Sequence, residues 1–117
     1  MVRLLAVITF SIVTFSDVMF PAIQASPDTQ AEIGVDELFA QARRLAFLGN
    51  REEARQLCAS ILTRSPSYHD ARILLGRLYS WDHQYDKARE ELKRVVDASP
   101  DLVDARKALI DVELWSD

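Results

Sequence analysis

The fold is decided by residues 69–100, HDARILLGRLYSWDHQYDKAREELKRVVDASP. Apolar residues recur at helical spacing on both sides of a polar break at residues 82–84. The phrase Ser99-Pro100 ends the second stretch, because proline cannot continue a helix and biases the residue before it away from helical geometry. The segment therefore predicts two helices joined by a short turn, from His69 to Trp81 and from Tyr85 to Val96.

The same features recur along the chain at a constant interval in sequence, which is the interval between Pro66 and Pro100. The matching sets are Ser65-Pro66 with Ser99-Pro100, Asp36 with Asp70 and Asp104, Phe47 with Trp81 and Trp115, Ala54 with Ala88, and Arg43 with Arg77. Several coincidences at one spacing of this length indicate a solenoid of helix pairs. Further helices are predicted from Val35 to Leu48, Arg51 to Thr63 and Val103 to Trp115. The aspartates are expected to cap the first helix of each pair by accepting its free N–H groups.

The composition favours a helical domain without catalytic or nucleic-acid-binding features. Of the 117 residues, 49% are apolar and 27% are charged, and only 3 glycines and 4 prolines are present. So few turn-forming residues argue for helices over a many-stranded β fold. The net charge of −4 without a basic run argues against nucleic-acid binding, which needs a clustered positive face. No nucleophile, phosphate-loop or zinc-ligand motif occurs, so no enzyme activity, cofactor or metal is expected.

The cysteine and the two histidines are interpreted as structural residues. Cys58 lies at an apolar position of a second helix and is expected to be buried and unreactive. His69 and His83 are expected to be surface residues at opposite ends of one helix. With a helix of about 12 residues they are roughly 18 Å apart, which is too far to share a metal ion.

Residues 1–25 have the pattern of an export signal. Arg3 precedes an apolar or hydroxyl-bearing run at residues 4–15, which is shorter than the ~20 residues that span a bilayer as a helix. Ile23 and Ala25 stand at the −3 and −1 positions of a signal-peptidase site, so cleavage is expected after Ala25. An uncleaved signal anchor with a longer apolar run is the alternative. Residues 26–34 are interpreted as a polar linker, and the rest of the chain is expected to lie outside the cytoplasm.

The middle unit resembles the tetratricopeptide repeat (TPR). The residues that carry the resemblance are Leu75-Gly76, Tyr79, Tyr85, Ala88 and Pro100. Gly76 and Ala88 have almost no side chain, so two antiparallel helices can pack at short distance. The flanks of that contact are expected to be filled by the large residues Leu75, Tyr79 and Leu92.

The resemblance implies an all-α fold, a right-handed superhelical solenoid of about two and a half repeats. The repeats are residues 35–68 and 69–102, followed by a partial repeat at 103–117. The first repeat has Gln41-Ala42 in place of the Leu-Gly pair, and the third has Ile110 where a small residue belongs. Because a repeat buries its faces only against its neighbours, the last helix is expected to leave apolar surface exposed. That surface is expected to self-associate or to bind a continuation of the chain.

The resemblance also implies that the first helices line a concave face on which fixed positions of each unit contact ligands. In this sequence those positions are Asp36, Phe39, Arg43, Phe47, Asp70, Ile73, Arg77, Trp81, Asp104, Lys107, Asp111 and Trp115. Arg43 with Phe47 and Arg77 with Trp81 are i,i+4 pairs, close enough for cation–π stacking. The functional interpretation is a groove with an aromatic ladder, suited to an extended peptide or a glycan chain. The alternative is that the aromatics pack between repeats and the aspartates are only caps.

A narrower resemblance covers residues 74–117. The Trp-Asp after the first helix and the closing Val-Glu-Leu-Trp phrase make this run similar to the periplasmic TPR segment of YaiO-type bacterial outer-membrane proteins. In such proteins the segment precedes an outer-membrane β-barrel, so the chain is expected to be a fragment or a truncated relative that lacks this C-terminal barrel. Contact with a membrane is expected only through the signal peptide or the barrel. The expected function is a non-catalytic scaffold for protein–protein interaction in the periplasm or at the outer membrane, and the alternative is a polysaccharide-binding module of an export system.

Overall fold

The computed structural model describes residues 33–117, which form five α-helices. The helices are α1 (Val35–Phe47), α2 (Arg51–Arg64), α3 (His69–Trp81), α4 (Tyr85–Ala98) and α5 (Val103–Trp115). The predicted signal peptide, residues 1–25, lies outside the described range, as does the predicted linker up to residue 32. Residues 33–117 contain no strand, so the prediction of an all-α fold is confirmed for them. None of these five helices is long and apolar enough to cross a membrane.

The predicted helix boundaries agree with the structure to within two residues. α3 and α5 have the predicted ends, and α1 ends one residue before the predicted Leu48. α2 and α4 continue to Arg64 and Ala98, so each helix runs up to the serine of its Ser-Pro phrase. The serine N–H still donates to a helix carbonyl at 2.7 Å in both cases, and the proline then ends the helix.

The prediction that three aspartates cap the first helices is wrong in its geometry. The N-cap residues of α1, α3 and α5 are Gly34, Tyr68 and Leu102, and none of them makes a side-chain capping bond. The aspartates stand two residues later, in the first turn of each helix, where their charge lies at the positive end of the helix dipole. Their contribution to the helix is therefore electrostatic, and their carboxylates are available for other contacts.

The helices pack as consecutive pairs, α1 with α2 and α3 with α4, and α5 packs on α4 and α3. The first helices of neighbouring units also contact each other, α1 with α3 and α3 with α5. These three helices therefore lie side by side and form one surface, which we call the first-helix face.

The core consists of two clusters of buried side chains. The first cluster comprises Ala42, Ala54, Cys58, Leu75 and Leu78. The second comprises Ile73, Ala88, Leu92, Val95, Ala105, Ala108 and Val112. Both clusters combine helices of two successive units, so each unit buries its apolar surface largely against its neighbour.

Leu92 of α4 fills the space that the missing side chain of Gly76 leaves on α3. A Cβ atom at residue 76 would lie 2.7 Å from Leu92 Cγ and 2.9 Å from Leu92 Cδ2. Leu92 thus lies over the glycine, not on the flank of the contact as the sequence predicted. In the first unit the equivalent positions are Ala42 and Cys58, which pack in one cluster. Ala42 is slightly larger than Gly76, and Cys58 is correspondingly smaller than Leu92.

Tyr79 of α3 packs against both core clusters. Arg55 Cζ of α2 and Lys87 Nζ of α4 each lie 5.6 Å from the centroid of its ring. Cations placed in this way over an aromatic ring contribute about 0.5–1 kcal/mol each at exposed sites. Tyr79 therefore connects the first unit to the second through both apolar packing and charge.

Two arginines at equivalent repeat positions connect each unit to the next. Arg55 of α2 pairs with Asp82, which follows α3. Arg89 of α4 pairs with Glu113 of α5 at 2.6 Å and donates to Ser116 Oγ at 3.2 Å. Ser116 is the repeat equivalent of Asp82, so the same contact is made twice with different acceptors.

The turns after α1 and α3 contain residues with positive φ, Gly49 at 86° and His83 at 61°. In both turns the N–H of the following residue donates to the carbonyl five residues before it, at 2.9 Å. This is the bonding pattern of a helix C-terminus that favours glycine. His83 adopts this conformation at a cost of about 1–2 kcal/mol relative to glycine. Its Nδ1 lies 2.8 Å from the Tyr85 hydroxyl.

We expect Gly76→Ala to lower the free energy of unfolding by about 1–3 kcal/mol, because the added methyl group overpacks the contact with Leu92. Urea denaturation followed by circular dichroism measures the change. Gly34→Ala is the matched control, since a Cβ there meets no atom within 4 Å. Equal stability of the Gly76→Ala and Gly34→Ala variants would contradict the described packing of α3 on α4.

We expect His83→Gly to raise the free energy of unfolding by about 1 kcal/mol relative to His83→Ala, because glycine adopts the left-handed conformation without strain. The alanine variant removes the ring contact with Tyr85 but keeps the strain, so the comparison isolates the backbone. Gly49→Ala is expected to lower stability by a similar amount. Urea denaturation of the three variants checks this, and a His83→Ala variant as stable as His83→Gly would refute it.

Candidate functional site

The first-helix face carries side chains from equivalent repeat positions in four rows across α1, α3 and α5. The rows are Asp36, Asp70 and Asp104; Phe39, Ile73 and Lys107; Arg43, Arg77 and Asp111; and Phe47, Trp81 and Trp115. The aspartate row lies in the first turns of the helices and the aromatic row at their last residues. The face therefore changes from acidic at one edge to aromatic at the other.

A depression of about 680 Å³ lies between α1 and α3 at the aromatic edge. Its lining residues are Ala40, Arg43, Arg44, Ala46, Phe47, Leu48, Leu74 and Trp81. We call it the α1–α3 depression. Phe47 is 93% exposed, so the alternative that the aromatics pack between repeats is wrong for Phe47, whereas Trp81, at 41% exposed, is partly covered. Exposed apolar surface of this kind, bordered by arginines, is typical of interaction sites.

A second depression of about 270 Å³ lies between α3 and α5. Its lining residues are Arg77, Ser80, Trp81, Lys107, Ala108, Asp111, Val112 and Trp115. We call it the α3–α5 depression. Trp115 is 55% exposed, and Trp81 lines both depressions, so the aromatic edge is continuous. Ser80 is only 3% exposed, and its hydroxyl has no hydrogen-bond partner within the described range.

A third depression of about 320 Å³, the central depression, lies between the acidic and aromatic edges. Its lining residues are Phe39, Arg43, Asp70, Ile73, Leu74, Arg77 and Asp104. It thus contains two guanidinium groups and two carboxylates. No ion pair between residues of the described range involves any of these four charged groups.

Several arginines outside this face have carboxylate partners, in contrast to Arg43 and Arg77. Arg72 lies 2.6 Å from Glu91 in a half-buried pair, and Arg94 lies 2.8 Å from Glu90. The charges of the central depression therefore remain available to a ligand that carries charges of its own.

Three of the predicted site residues have structural contacts. The Tyr68 hydroxyl donates to Asp36 Oδ1 at 2.6 Å, and Asp36 lines none of the three depressions. The Phe39 ring centroid lies 5.5 Å from that of Tyr68, the N-cap residue of α3, so this aromatic packs against the start of the next first helix. Ile73 is 6% exposed and belongs to the second core cluster. The other predicted positions line the depressions with largely accessible side chains.

The predicted cation–π pairs are wrong. Arg43 Cζ lies 5.9 Å from the ring centroid of Phe39, one turn towards the helix N-terminus, and not over Phe47. Helical side chains tilt towards the N-terminus, which brings Arg43 to the residue four positions before it. Arg77 makes no such contact with Trp81 within the described range, so its guanidinium is not stacked.

Cys58 is fully buried in the first core cluster, as predicted. Burial raises the pKa of its thiol to about 12, which disfavours the reactive thiolate. His69 is half-buried, contrary to the prediction of a surface residue, and its Nε2 lies 3.1 Å from Ser99 Oγ. In the described range, no group of three or more His, Cys, Asp or Glu side chains is placed to hold a metal ion.

The sequence interpretation missed several lining residues. Ala40, Leu74 and Ala108 occupy one repeat position in the three units, so the repeat period itself could have identified them as one more row of the face. Arg44 lines the α1–α3 depression, and its Nη2 lies 3.3 Å from Glu37 Oε1. Ser80 carried no sequence signal, because the equivalent residues are Ala46 and Leu114.

The repeated pairs and the rows across their first helices agree with a comparison to known families. A family model for the tetratricopeptide repeat matches residues 48–111, more than half of the chain. The chain belongs to the tetratricopeptide repeat family. The predicted all-α TPR fold is thereby confirmed. A search of curated proteins gives no match. Tetratricopeptide repeats are typically non-catalytic scaffolds that bind protein partners.

We expect Asp36→Asn to lower the pKa of Tyr68. The hydrogen bond to the Asp36 carboxylate, with burial and the nearby negative charges, raises this pKa to about 12. The contact therefore stabilises the fold below about pH 10, the ordinary tyrosine pKa, and this contribution is lost as the pH rises towards the folded-state value. Ultraviolet titration of the three tyrosines measures the change. Asp104→Asn, at the same repeat position, should leave the titration unchanged, and a similar shift in both variants would contradict the assignment.

Proposed function

We propose that this TPR chain is a peptide-binding scaffold of the bacterial cell envelope, and that it corresponds to the N-terminal part of an outer-membrane protein of YaiO type. The observation that carries the binding function is the exposed, continuous aromatic edge of the first-helix face. Its side chains lie on helices, and Arg43, Arg77 and Lys107 beside it have no ion-pair partner in the described part of the chain. Surfaces with aromatic anchors and accessible polar groups are well suited to protein partners.

The envelope assignment rests on residues 1–25 and on the resemblance of residues 74–117. A short apolar run after Arg3 and small or β-branched residues before position 26 favour export and cleavage. The Trp-Asp and Val-Glu-Leu-Trp phrases, which carry the resemblance to YaiO-type proteins, include Trp81 and Trp115 of the aromatic edge.

We expect the full chain, produced in a Gram-negative bacterium, to be recovered from the periplasm with Ser26 as its first residue. Ile8→Arg, which interrupts the apolar run, should keep the whole chain in the cytosol. N-terminal sequencing of the fractionated protein checks both. A product beginning at Met1 in the cytosol contradicts export, and a membrane-bound product beginning at Met1 identifies an uncleaved signal anchor.

We expect selection from a random-peptide display library to yield peptides that bind the purified protein through the aromatic edge. The Trp81→Ala and Trp115→Ala variants should lose most of this binding, since each ring contributes a large part of one depression. Arg94→Ala is the control, because the Arg94 side chain is also exposed, at 56%, but lines none of the three depressions. A library that yields no peptide, or only peptides insensitive to both tryptophans, counts against the function.

A second candidate function is glycan binding in a polysaccharide export system. The partial exposure of both Trp81 and Trp115 favours it, because flat aromatic faces also stack on sugar rings. An acidic or aminated polysaccharide would then shift the tryptophan fluorescence. Absence of a shift across a panel of such polysaccharides excludes this candidate.

The outer side of α5 is a second proposed interaction surface, through which the protein self-associates. Val103, Ile110 and Leu114 are exposed by 57%, 57% and 69%. In the second unit, the residues equivalent to Ile110 and Leu114 are Gly76 and Ser80, and both of these are buried. Sedimentation of the wild type and of Ile110→Lys at high concentration tests this. A clean monomer in both cases contradicts it.

A further inference from the structure

We propose that the aromatic edge binds an acidic, proline-rich peptide in the polyproline II conformation, which lies across α1, α3 and α5. The proposal rests on the proposed peptide-binding function and names the ligand class of the same face. The contact residues are Phe47, Trp81 and Trp115, one from the C-terminal end of each helix.

The spacing of packed first helices favours polyproline II over a β-strand. Neighbouring first helices are in direct contact, and packed helices are about 8–10 Å apart. A polyproline II helix repeats after three residues, which corresponds to about 9.3 Å and matches this helix-to-helix spacing. A β-strand presents one face every two residues, about 6.7 Å, and loses register with the row.

The size of the α3–α5 depression argues against a helical ligand at that end of the row. Seven residues of an α-helix also span about 10.5 Å, but a helix with its side chains is about 10–12 Å wide. The α3–α5 depression has a volume of about 270 Å³, which suits one ring between Trp81 and Trp115. Proline rings stack on aromatic side chains in the grooves that recognise proline-rich segments.

The charges beside the aromatic row favour an acidic ligand. Arg43 and Arg44 line the α1–α3 depression, which has no carboxylate in its lining. Arg77 and Lys107 line the α3–α5 depression, where Asp111 is the only carboxylate. Arg43, Arg77 and Lys107 have no ion-pair partner within residues 33–117. The aromatic edge is therefore locally cationic on a chain whose net charge is −4.

The Ser80 hydroxyl is an unpartnered polar group at the wall of the α3–α5 depression. Ser80 contributes to the lining of this depression, is only 3% exposed, and its Oγ has no hydrogen-bond partner in the described part of the chain. The fold does not require a hydroxyl there, since the equivalent residues are Ala46 and Leu114. A polyproline II backbone has no internal hydrogen bonds, so its carbonyl groups are free to accept.

The test compares synthetic peptides of four Pro-Glu-Pro triplets and of four Pro-Lys-Pro triplets on the purified protein. We expect the acidic peptide to bind and to shift tryptophan fluorescence, and the lysine peptide to bind at least about tenfold more weakly, because charge complementarity is reversed. Four Ala-Glu-Ala triplets carry the same charge without proline and should also bind about tenfold more weakly. Isothermal titration calorimetry gives the affinities.

Variants of the protein locate the binding. Trp81→Ala and Trp115→Ala should each weaken the binding of the acidic peptide by about tenfold. Arg77→Glu should weaken this binding to the same extent without removing any core side chain. The proposal therefore remains testable even if the tryptophan variants fold poorly. The control is Arg94→Glu, at an exposed residue outside the three depressions, which should change the affinity by less than about twofold.

Three outcomes overturn the proposal. The first is equal or tighter binding of the lysine peptide, and the second is equal binding of the proline-free peptide. The third is a fluorescence shift, sensitive to Arg77→Glu, with an acidic polysaccharide but not with the acidic peptide. If the display library yields peptides that bind through the aromatic edge but lack proline and acidic residues, the peptide-binding function is supported and the acidic, proline-rich ligand class is refuted. If no peptide binds at all, the peptide-binding function and this ligand class are both refuted.

Discussion

The close contact of Leu92 with Gly76 is the packing constraint on which the rest of the second unit depends. A glycine on α3 lets a leucine of α4 lie directly against the helix backbone, and Leu92 then joins the core cluster that also holds Ala105, Ala108 and Val112 of α5. The position of α4 thus determines where α5 packs. Because α3 and α5 are fixed side by side, their exposed residues become neighbours, and the depression between Trp81 and Trp115 follows from that arrangement.

The repeat period is sufficient to predict the helices and their order, because proline, small residues and aromatics recur at one spacing. The Ser-Pro phrases locate the ends of α2 and α4 only approximately, since the serine can still donate its N–H to the helix and the last turns extend up to it. The sequence favours caps for the aspartates because carboxylates are common at helix starts. Their actual place in the first turn depends on which residue has the non-helical backbone, and composition does not reveal this.

The candidate site is predictable as a set of positions but not as a set of contacts. The period identifies the rows, and the aromatics at the helix ends are exposed because no helix of the described range covers that edge. The same pattern cannot distinguish Phe39, which packs on Tyr68, from Phe47, which is exposed. The partner of Arg43 is also wrongly predicted, because spacing alone is symmetric along the helix whereas side chains are directed towards its N-terminus. The burial of the Ser80 hydroxyl depends on its neighbours in space, which the period does not specify.

Tyr79 has a consequence for how the chain unfolds. In a solenoid the free energy is roughly a sum of unit terms and nearest-neighbour coupling terms, and loss of coupling lets units melt separately. The ring of Tyr79, which packs in both core clusters with Arg55 and Lys87 over it, adds to the coupling that the first core cluster and the Arg55–Asp82 pair provide between the first two units. These units should therefore behave as one cooperative foldon. Local opening that separates α1 and α2 from the rest must break these contacts, and the α1–α3 depression keeps its shape for as long as they hold.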